Sequence, residues 1–191
     1  QKEEIEIKGN FNSQFNLRED KIKKIFKNVN FLIDNKIKIQ GSINHNFNLK
    51  IDNNFKIIDY DYKSRGNITQ SEVILTKDLK NNFIKKSLKK ILFEKIKLEF
   101  DLNKKNKNSL LFEGFYSLDN TNYKKFKVSG NLNKNNQNYL IDFDLSEDVS
   151  FDLINYRTDS NKLGNIKAEY NINNKNMFFK SISFSEGKNI I

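Results

Sequence analysis

The chain of 191 residues has no cysteine, no proline and no tryptophan, and its only histidine is His45. Without cysteine there is no disulfide framework. With one histidine and no thiol, neither a His-based zinc site nor a Ser–His or Cys–His catalytic arrangement can be assembled within the chain. Glycine-rich phosphate loops are also missing, so no metal and no cofactor is expected. No apolar run reaches the length of about 18 residues that a membrane-spanning helix requires. Alanine occurs once, as Ala168, while lysine, asparagine and isoleucine abound. That bias points to an AT-rich coding sequence and discounts the formal charge of +10.

Taken at face value, such a charge suggests nucleic acid or an anionic membrane. Nearly all of it is lysine, however, with arginine only at 18, 65 and 157, and most lysines alternate with apolar residues. A solvated outer face, where lysine also keeps sheets from sticking together, is the favoured explanation. The 17 Phe and 7 Tyr would serve single-stranded nucleic acid only if they shared a face with the lysines. Alternation puts them mostly on opposite faces, so nucleic acid is not an expected partner. Alternation alone also fits a transmembrane barrel, but the absence of aromatic girdles and the helix expected at 78–92 make it the less favoured reading.

What dominates is period-two alternation, the mark of half-buried strands. Ile37, Ile39, Gly41, Ile43, His45, Phe47, Leu49 and Ile51 hold one phase, and the device repeats in Ile96, Leu98, Phe100 and Leu102, then in Leu110, Phe112, Gly114, Tyr116 and Leu118. It continues through Phe126, Val128, Gly130 and Leu132, then Tyr139, Ile141, Phe143 and Leu145, then Val149, Phe151 and Leu153. The last runs are Ile166, Ala168, Tyr170 and Ile172, followed by Phe178, Ile182 and Phe184. Asn/Asp/Lys clusters between them favour tight turns, so the expected topology is an antiparallel meander of about a dozen strands. Six of the seven glycines stand in phase with apolar neighbours, as in Ile7-x-Gly9-x-Phe11 and Phe112-x-Gly114-x-Tyr116. A side chain missing from the inner face lets a sheet bend. The expected fold is therefore all-β, a long curled meander forming a groove or half-barrel in a single segment, 1–191. The start without Met and the end in Asn189-Ile190-Ile191 suggest an excerpt of a longer repetitive protein.

Two segments depart from period two. From about 78 to 92, Ile84, Leu88, Ile91 and Leu92 fall on one helical face and Lys85, Lys86, Lys89 and Lys90 on the other. This predicts a basic amphipathic helix, with covering an open apolar face as its favoured role over lying on a membrane surface. Lys21–Lys27, with Ile22, Ile25 and Phe26, predicts a second, shorter one.

Carboxylate pairs such as Asp59/Asp61 and Asp142/Asp144 share a strand face, but a glycosidase-type pair has to converge in a cleft, which spacing alone does not show. Solvent-facing positions are the simpler reading. His45 reads as one polar residue on a long strand, and Asn67-Ile68-Thr69 as a chance match to a glycosylation acceptor.

Strands of the form apolar-x-apolar-x-Gly-x-apolar, joined by short polar turns, resemble segments of the AsmA-like, TamB and YhdP group of bacterial envelope proteins. The likeness rests on IEIKGNF, IKIQGSINHNFNLKI, LLFEGFYSL, FKVSGNL and GNIKAEYNI. The resemblance implies an open, taco-like groove whose apolar interior carries phospholipid acyl chains between inner and outer membranes. It also implies a periplasmic location and an inner-membrane anchor that would precede Gln1.

Independently of that likeness, an open sheet with so many in-phase Ile, Leu and Phe would expose more apolar surface than a soluble monomer normally does. The expected function is non-enzymatic binding or conduction of acyl lipid. Its wall would be Ile37, Ile39, Gly41, Ile43, Phe47, Leu49, Ile96, Leu98, Phe100, Leu110, Phe112, Gly114, Tyr116, Phe126, Val128, Gly130, Leu132, Tyr139, Ile141, Phe143, Leu145, Ile166, Ala168, Tyr170 and Ile172. The alternative is a structural or adhesive module with a closed, dry core; an enzyme fragment whose partners lie elsewhere is weaker.

Overall fold

The computed structural model describes residues 4–25, 35–79, 88–105, 108–119, 121–133, 136–145, 150–151, 156–158, 162–173 and 176–190. Its elements are β1 (Glu4–Leu17), α1 (Glu19–Ile25), β2 (Lys36–Asp52), β3 (Ile57–Leu79), β4 (Leu88–Asn103), β5 (Ser109–Leu118), β6 (Lys124–Leu132), β7 (Asn136–Leu145), β8 (Ser150–Phe151), β9 (Tyr156–Arg157), β10 (Gly164–Asn173), β11 (Asn176–Glu186) and β12 (Asn189–Ile190). Ten strands form one sheet in the order β1-β2-β3-β4-β5-β6-β7-β10-β11-β12, while β8 and β9 pair separately. Every ladder is antiparallel. The sheet is not closed: β1 lies at one edge and β11 with the short β12 at the other.

Short polar side chains finish the strands where the backbone runs out of ladder partners. The Asp52 carboxylate accepts from the amides of Asn54 and Lys56, both at 2.9 Å, which closes the β2–β3 turn around Phe55 in a left-handed conformation. Asn108 accepts from the Asn103 amide and donates to the Leu132 carbonyl, so one side chain ties the ends of β4 and β6. Asp119 does the same for the amides of Lys89 and Lys90. Connections at this Asp52 end are tight; the longer ones, including α1, all lie at the opposite end.

β3 and β4 do not keep a single phase. In β3, Ile68 and Ser71 both share a face with their apolar neighbours across the ladder, and in β4 Phe93 and Ile96 do so, each switch spanning one extra residue. Thr69 and Lys95, at φ 51° the latter, carry these switches directly opposite one another, so the β3–β4 ladder stays in step. At this level each strand has one residue too many relative to β2 and β5, the definition of a bulge, and β3 has a second against Lys50 and Ile51. The bulges push Ile68 and Ile96 toward the flanking strands, and glycine stands at both places. A Cβ on Gly41 would lie 2.5 Å from the Asn67 carbonyl oxygen and 2.9 Å from Ile68 Cα; on Gly114 it would lie 2.9 Å from Ile96 Cα. These are backbone atoms, which cannot swing aside.

The structure corrects the expected helix at 78–92. Asp78 and Leu79 end β3, while Leu88, Ile91 and Leu92 open β4; Ile84 lies outside the described residues. Ile91 and Phe93 face the apolar side, paired with Val73 and Ser71, whereas Leu88 and Leu92 fall on the other phase. The four apolar residues satisfy a 3.6-residue period over one short window, but the β3 and β5 ladders on both sides of this segment supply hydrogen bonds that no local pattern reveals. The phase switch at Lys95 completed the disguise by detaching Phe93 from the Ile96–Leu102 run. The shorter helix is present as α1, with Ile22 fully buried (0 % exposed) against Ile37 and Val73; Phe26 lies outside the described residues. Phe151 belongs to the two-residue β8, and Val149 and Leu153 are outside the described residues.

Gly41→Ala and Gly114→Ala should each destabilise the sheet by about 1–3 kcal/mol, the usual cost of overpacking. Gly9→Ala should cost less, because the atoms its Cβ would meet belong to the Phe47 ring, which can turn away. Urea unfolding followed by circular dichroism checks the ranking; equal costs at all three sites would refute the backbone-contact explanation.

Candidate functional site

In an antiparallel ladder, directly opposed residues project to the same side. Following the register from β1 to β11 places all the residues expected to form the apolar wall on one face of the sheet. Ile39 stands opposite Leu17, Leu49 opposite Ile7, Leu98 opposite Phe112, Val128 opposite Ile141, and Ala168 opposite Ile141 and Ile182. The face also takes residues that the sequence pattern left out: Ile5 and Phe15 from β1, Tyr60, Tyr62, Ile68 and Val73 from β3, and Ile91 and Phe93 from β4. β3 escaped notice because Ser64 and Ser71 sit on its apolar face and the switch at Thr69 breaks its alternation. In β11 the extra residue Lys180 turns Met177 and Phe179 onto this face and Phe178 onto the other, which corrects the single phase expected for Phe178, Ile182 and Phe184.

The face divides along the strand direction. At the end carrying α1, Phe126 (4 % exposed) sits among Phe93, Phe112, Tyr116 and Phe143, with ring centroids 5.5 to 6.3 Å away. The Tyr116 hydroxyl donates to the Asp144 carbonyl at 2.6 Å, so its polar tip is satisfied. α1 lays Ile22 over Ile37 and Val73, with Leu17, Leu75 and Ile91 around them. The buried hydrophobic residues Ile22, Ile37, Ile68, Val73, Ile96, Tyr116, Phe126, Ala168 and Phe184 belong to this covered half or its boundary, while Leu88, 5 % exposed, is buried on the other phase of β4.

Toward the Asp52 turn no described element covers the same face, and central side chains such as Phe47, Leu49, Phe100, Leu110, Tyr139 and Tyr170 are half-buried. Ile5, Ile7, Phe11, Ile57, Tyr60, Met177 and Phe179 are all exposed, Met177 by 67 % and Phe179 by 58 %. Aromatic rings run across this half: Phe11 stacks on His45 at 4.4 Å, Tyr62 meets Phe100, and Tyr139, Tyr170 and Phe179 follow in sequence. His45 therefore sits on the apolar face, with Nδ1 2.7 Å from the Tyr62 hydroxyl. Burial pushes the Tyr139 phenol up, with the neighbouring Tyr170 adding to it.

The opposite face carries most of the charged side chains and pairs many of them with one another, with Leu111 and Leu140 on either side of Ser129 among them, Leu140 exposed. Arg65 donates to both oxygens of Asp101, at 2.7 and 2.9 Å, and its Nε lies 3.2 Å from Glu99. Lys97 bridges Glu99 at 2.7 Å, Lys127 reaches Glu113 at 3.4 Å, and Lys167 reaches Asp142 at 3.7 Å. Glu72 joins Lys90 at 2.8 Å and Lys38 at 3.4 Å. On β1 and β2 the place of charge is taken by amides, Asn10 donating to Asn46 at 2.6 Å and Asn48 to Glu6 at 2.8 Å. An open depression of about 530 Å³ on this face is lined by Lys97, Lys127, Glu113, Asp142, Asp144 and Asn165 among others, charges of both signs that compensate one another. Asp142 and Asp144 both accept from the Asn165 side chain, at 2.6 and 3.1 Å. Lys38, Lys90, Lys97, Lys127, Lys167 and Lys180 thus each reach a carboxylate on a neighbouring strand.

No family model, no curated protein and no solved structure matches this chain.

The hydrogen bond from Arg65 holds Asp101 below the usual carboxylate range; Lys90, and secondarily Lys38, does so for Glu72, and Lys97 for Glu99. A depressed folded-state value means that the unfolded chain binds more protons as the solution is acidified. The stabilisation is complete above the ordinary carboxylate values of about 4 and is lost as pH falls below them. Urea midpoints should therefore drop between pH 5 and pH 3, taken as about the span of that titration, and Arg65→Ala should flatten the drop. An unchanged slope in Arg65→Ala would show that the ladder contributes nothing to acid sensitivity.

Proposed function

We propose that the chain is a non-enzymatic lipid-binding segment whose apolar face takes up acyl chains. One observation carries the reading: half of the apolar face has no covering element among the described residues, and seven large apolar side chains of β1, β3 and β11 are exposed there, with half-buried apolar side chains on the strands between them. Isolated exposed hydrophobic residues are ordinary, but a continuous patch of this kind marks a binding surface. Acyl chains fit such a surface because they need no polar partner, and each methylene buried contributes about 0.8 kcal/mol. The aromatic cluster and α1 would form the stop at one end of the lipid track, and the bare half its mouth. Glycines on the apolar side, where a strand neighbour approaches closely, favour a sheet bent into the groove that the AsmA-like, TamB and YhdP resemblance implies. Service in envelope lipid transport from a periplasmic position, between inner and outer membranes, belongs to the same proposal.

The covered half favours a second reading for that half alone, a dry structural core. The two halves separate in mutants. Phe126→Ala should cost about 3–5 kcal/mol of stability, as for buried aromatics generally, whereas Phe179→Asp should leave urea unfolding nearly unchanged and reduce bound lipid. Native mass spectrometry of the purified chain, with organic extraction of whatever is released, reads the lipid directly. A lipid-free wild-type mass, together with failure to take up phospholipid from vesicles, would overturn the lipid reading in favour of a structural module.

A further inference from the structure

Strand lysines such as Lys90, Lys97 and Lys127 meet carboxylates across their ladders. The lysines of the connections at the Asp52 end do not. Residues 53–56, 104–108, 133–135 and 174–175 join β2 to β3, β4 to β5, β6 to β7 and β10 to β11. Every one of them is Lys or Asn except Phe55. The carboxylates behind these connections are already answered: Asp52 by the amides of Asn54 and Lys56, Asp59 by Lys50 opposite it, Asp61 by Lys63 and Asp101 by Arg65. No ion pair with a described residue engages Lys56, Lys104 or Lys105, all three exposed. Connections at the other end hold Glu19, Asp20, Asp34, Asp119, Glu147 and Asp148 among others. A coding bias toward Lys and Asn acts on the whole chain and does not sort carboxylates to one end.

Phe55 is an exception in conformation as well as in composition. Its φ of 58° lies in the left-handed region, which glycine and asparagine adopt readily and a bulky side chain does not. The turn is fixed: the Phe55 amide donates to the Asp52 carbonyl at 2.9 Å, and the Asp52 amide to the Lys56 carbonyl at 3.0 Å. Yet the ring is 78 % exposed, so packing does not offset the strain. Strained backbone that its surroundings hold in place clusters at functional sites. Ile57 and Ile5, both exposed, continue the apolar surface from the ring onto the uncovered half of the sheet.

We infer that this end of the sheet docks on an anionic lipid bilayer, with Phe55 entering the interface and Lys56, Lys104 and Lys105 resting on head groups around it. Peripheral proteins hold such surfaces by this combination of an inserted apolar side chain and lysines attracted to anionic lipid. The basic residues are distributed over separate connections from β2 to β11, a line that a planar charged surface meets at once. Docking does not depend on acyl chains occupying the apolar face. Where both hold, the uncovered half opens onto the bilayer.

Flotation of the chain with vesicles tests this. It should float with vesicles of equal parts phosphatidylglycerol and phosphatidylcholine, not with phosphatidylcholine alone, and less as salt is raised. Phe55→Asn should lower the partition by about tenfold. The same variant should keep or raise the urea midpoint, because asparagine suits the left-handed turn. Lys56→Glu combined with Lys105→Glu should lower the partition by about tenfold or more. Phe179→Asp, on the apolar face, should float like wild type, so docking and acyl uptake fail separately. Equal flotation with neutral vesicles, wild-type binding by Phe55→Asn, or loss of binding in Phe179→Asp would each overturn the proposal. So would absence of binding to anionic vesicles, which would leave an acidic protein as the partner of this end.

Discussion

One row of residues across the middle of the sheet sets the terms for the rest. Phe15, Gly41, Ile68, Ile96, Gly114, Phe126 and Phe143 stand side by side from β1 to β7, at the level where β3 and β4 each carry an extra residue. An extra residue reverses which side every later side chain faces. Two matched switches, in adjacent strands and at the same level, let both strands change phase while their ladder remains whole. The cost is crowding toward β2 and β5, where only glycine fits, and the rings of Phe15 and Phe126 fill the space those glycines leave open. Apolar side chains on both halves of β3 and β4 then share one face.

From that row the two halves diverge for a topological reason. In a meander, alternate connections fall at opposite ends. Those at the Asp52 end are short, two of them closed by the Asp52 and Asn108 side chains, and too short to fold back over the sheet. The three long ones, β1–β2, β3–β4 and β7–β10, lie at the other end, and the first contains α1, whose Ile22 is driven onto Ile37 and Val73 by burial of its side chain. Connection length therefore assigns cover to one half of the apolar face and leaves the other uncovered. The polar face needs no second layer, since opposite charges and paired amides already meet across neighbouring strands. Individually such exposed pairs are worth little, about 0.2–1 kcal/mol; their consequence is that carboxylates of this face meet cations of neighbouring strands, while the formal net charge of +10 remains.

Much of this was legible from residue patterns, and the omissions have definite causes. β2, β5, β6, β7 and β10 keep one phase over their whole length, so counting by two found them and put their residues on the correct side. β3 carries serines on its apolar face and a switch at Thr69, so no count by two spans it. β4 was split at Lys95, and its first part, Leu88 to Leu92, mimicked a helix. Phe178 was exchanged for Phe179 because one bulge residue, Lys180, falls between it and Ile182. Each error lies at or beside a bulge, a feature defined by the partner strand and hence invisible in a single strand's sequence.

The sequence by itself determined the all-β class, the meander, and the division of most residues between an apolar and a polar side, because alternation is a local property of an extended backbone. It also determined where turns fall, since Asp and Asn close them with their own side chains. Tertiary structure alone decided the phase of β3, β4 and β11, the necessity of glycine at 41 and 114, and which half of the apolar face lies under cover. Those depend on which strand lies alongside and how far a connection reaches, and both are settled by contacts between residues distant in the chain.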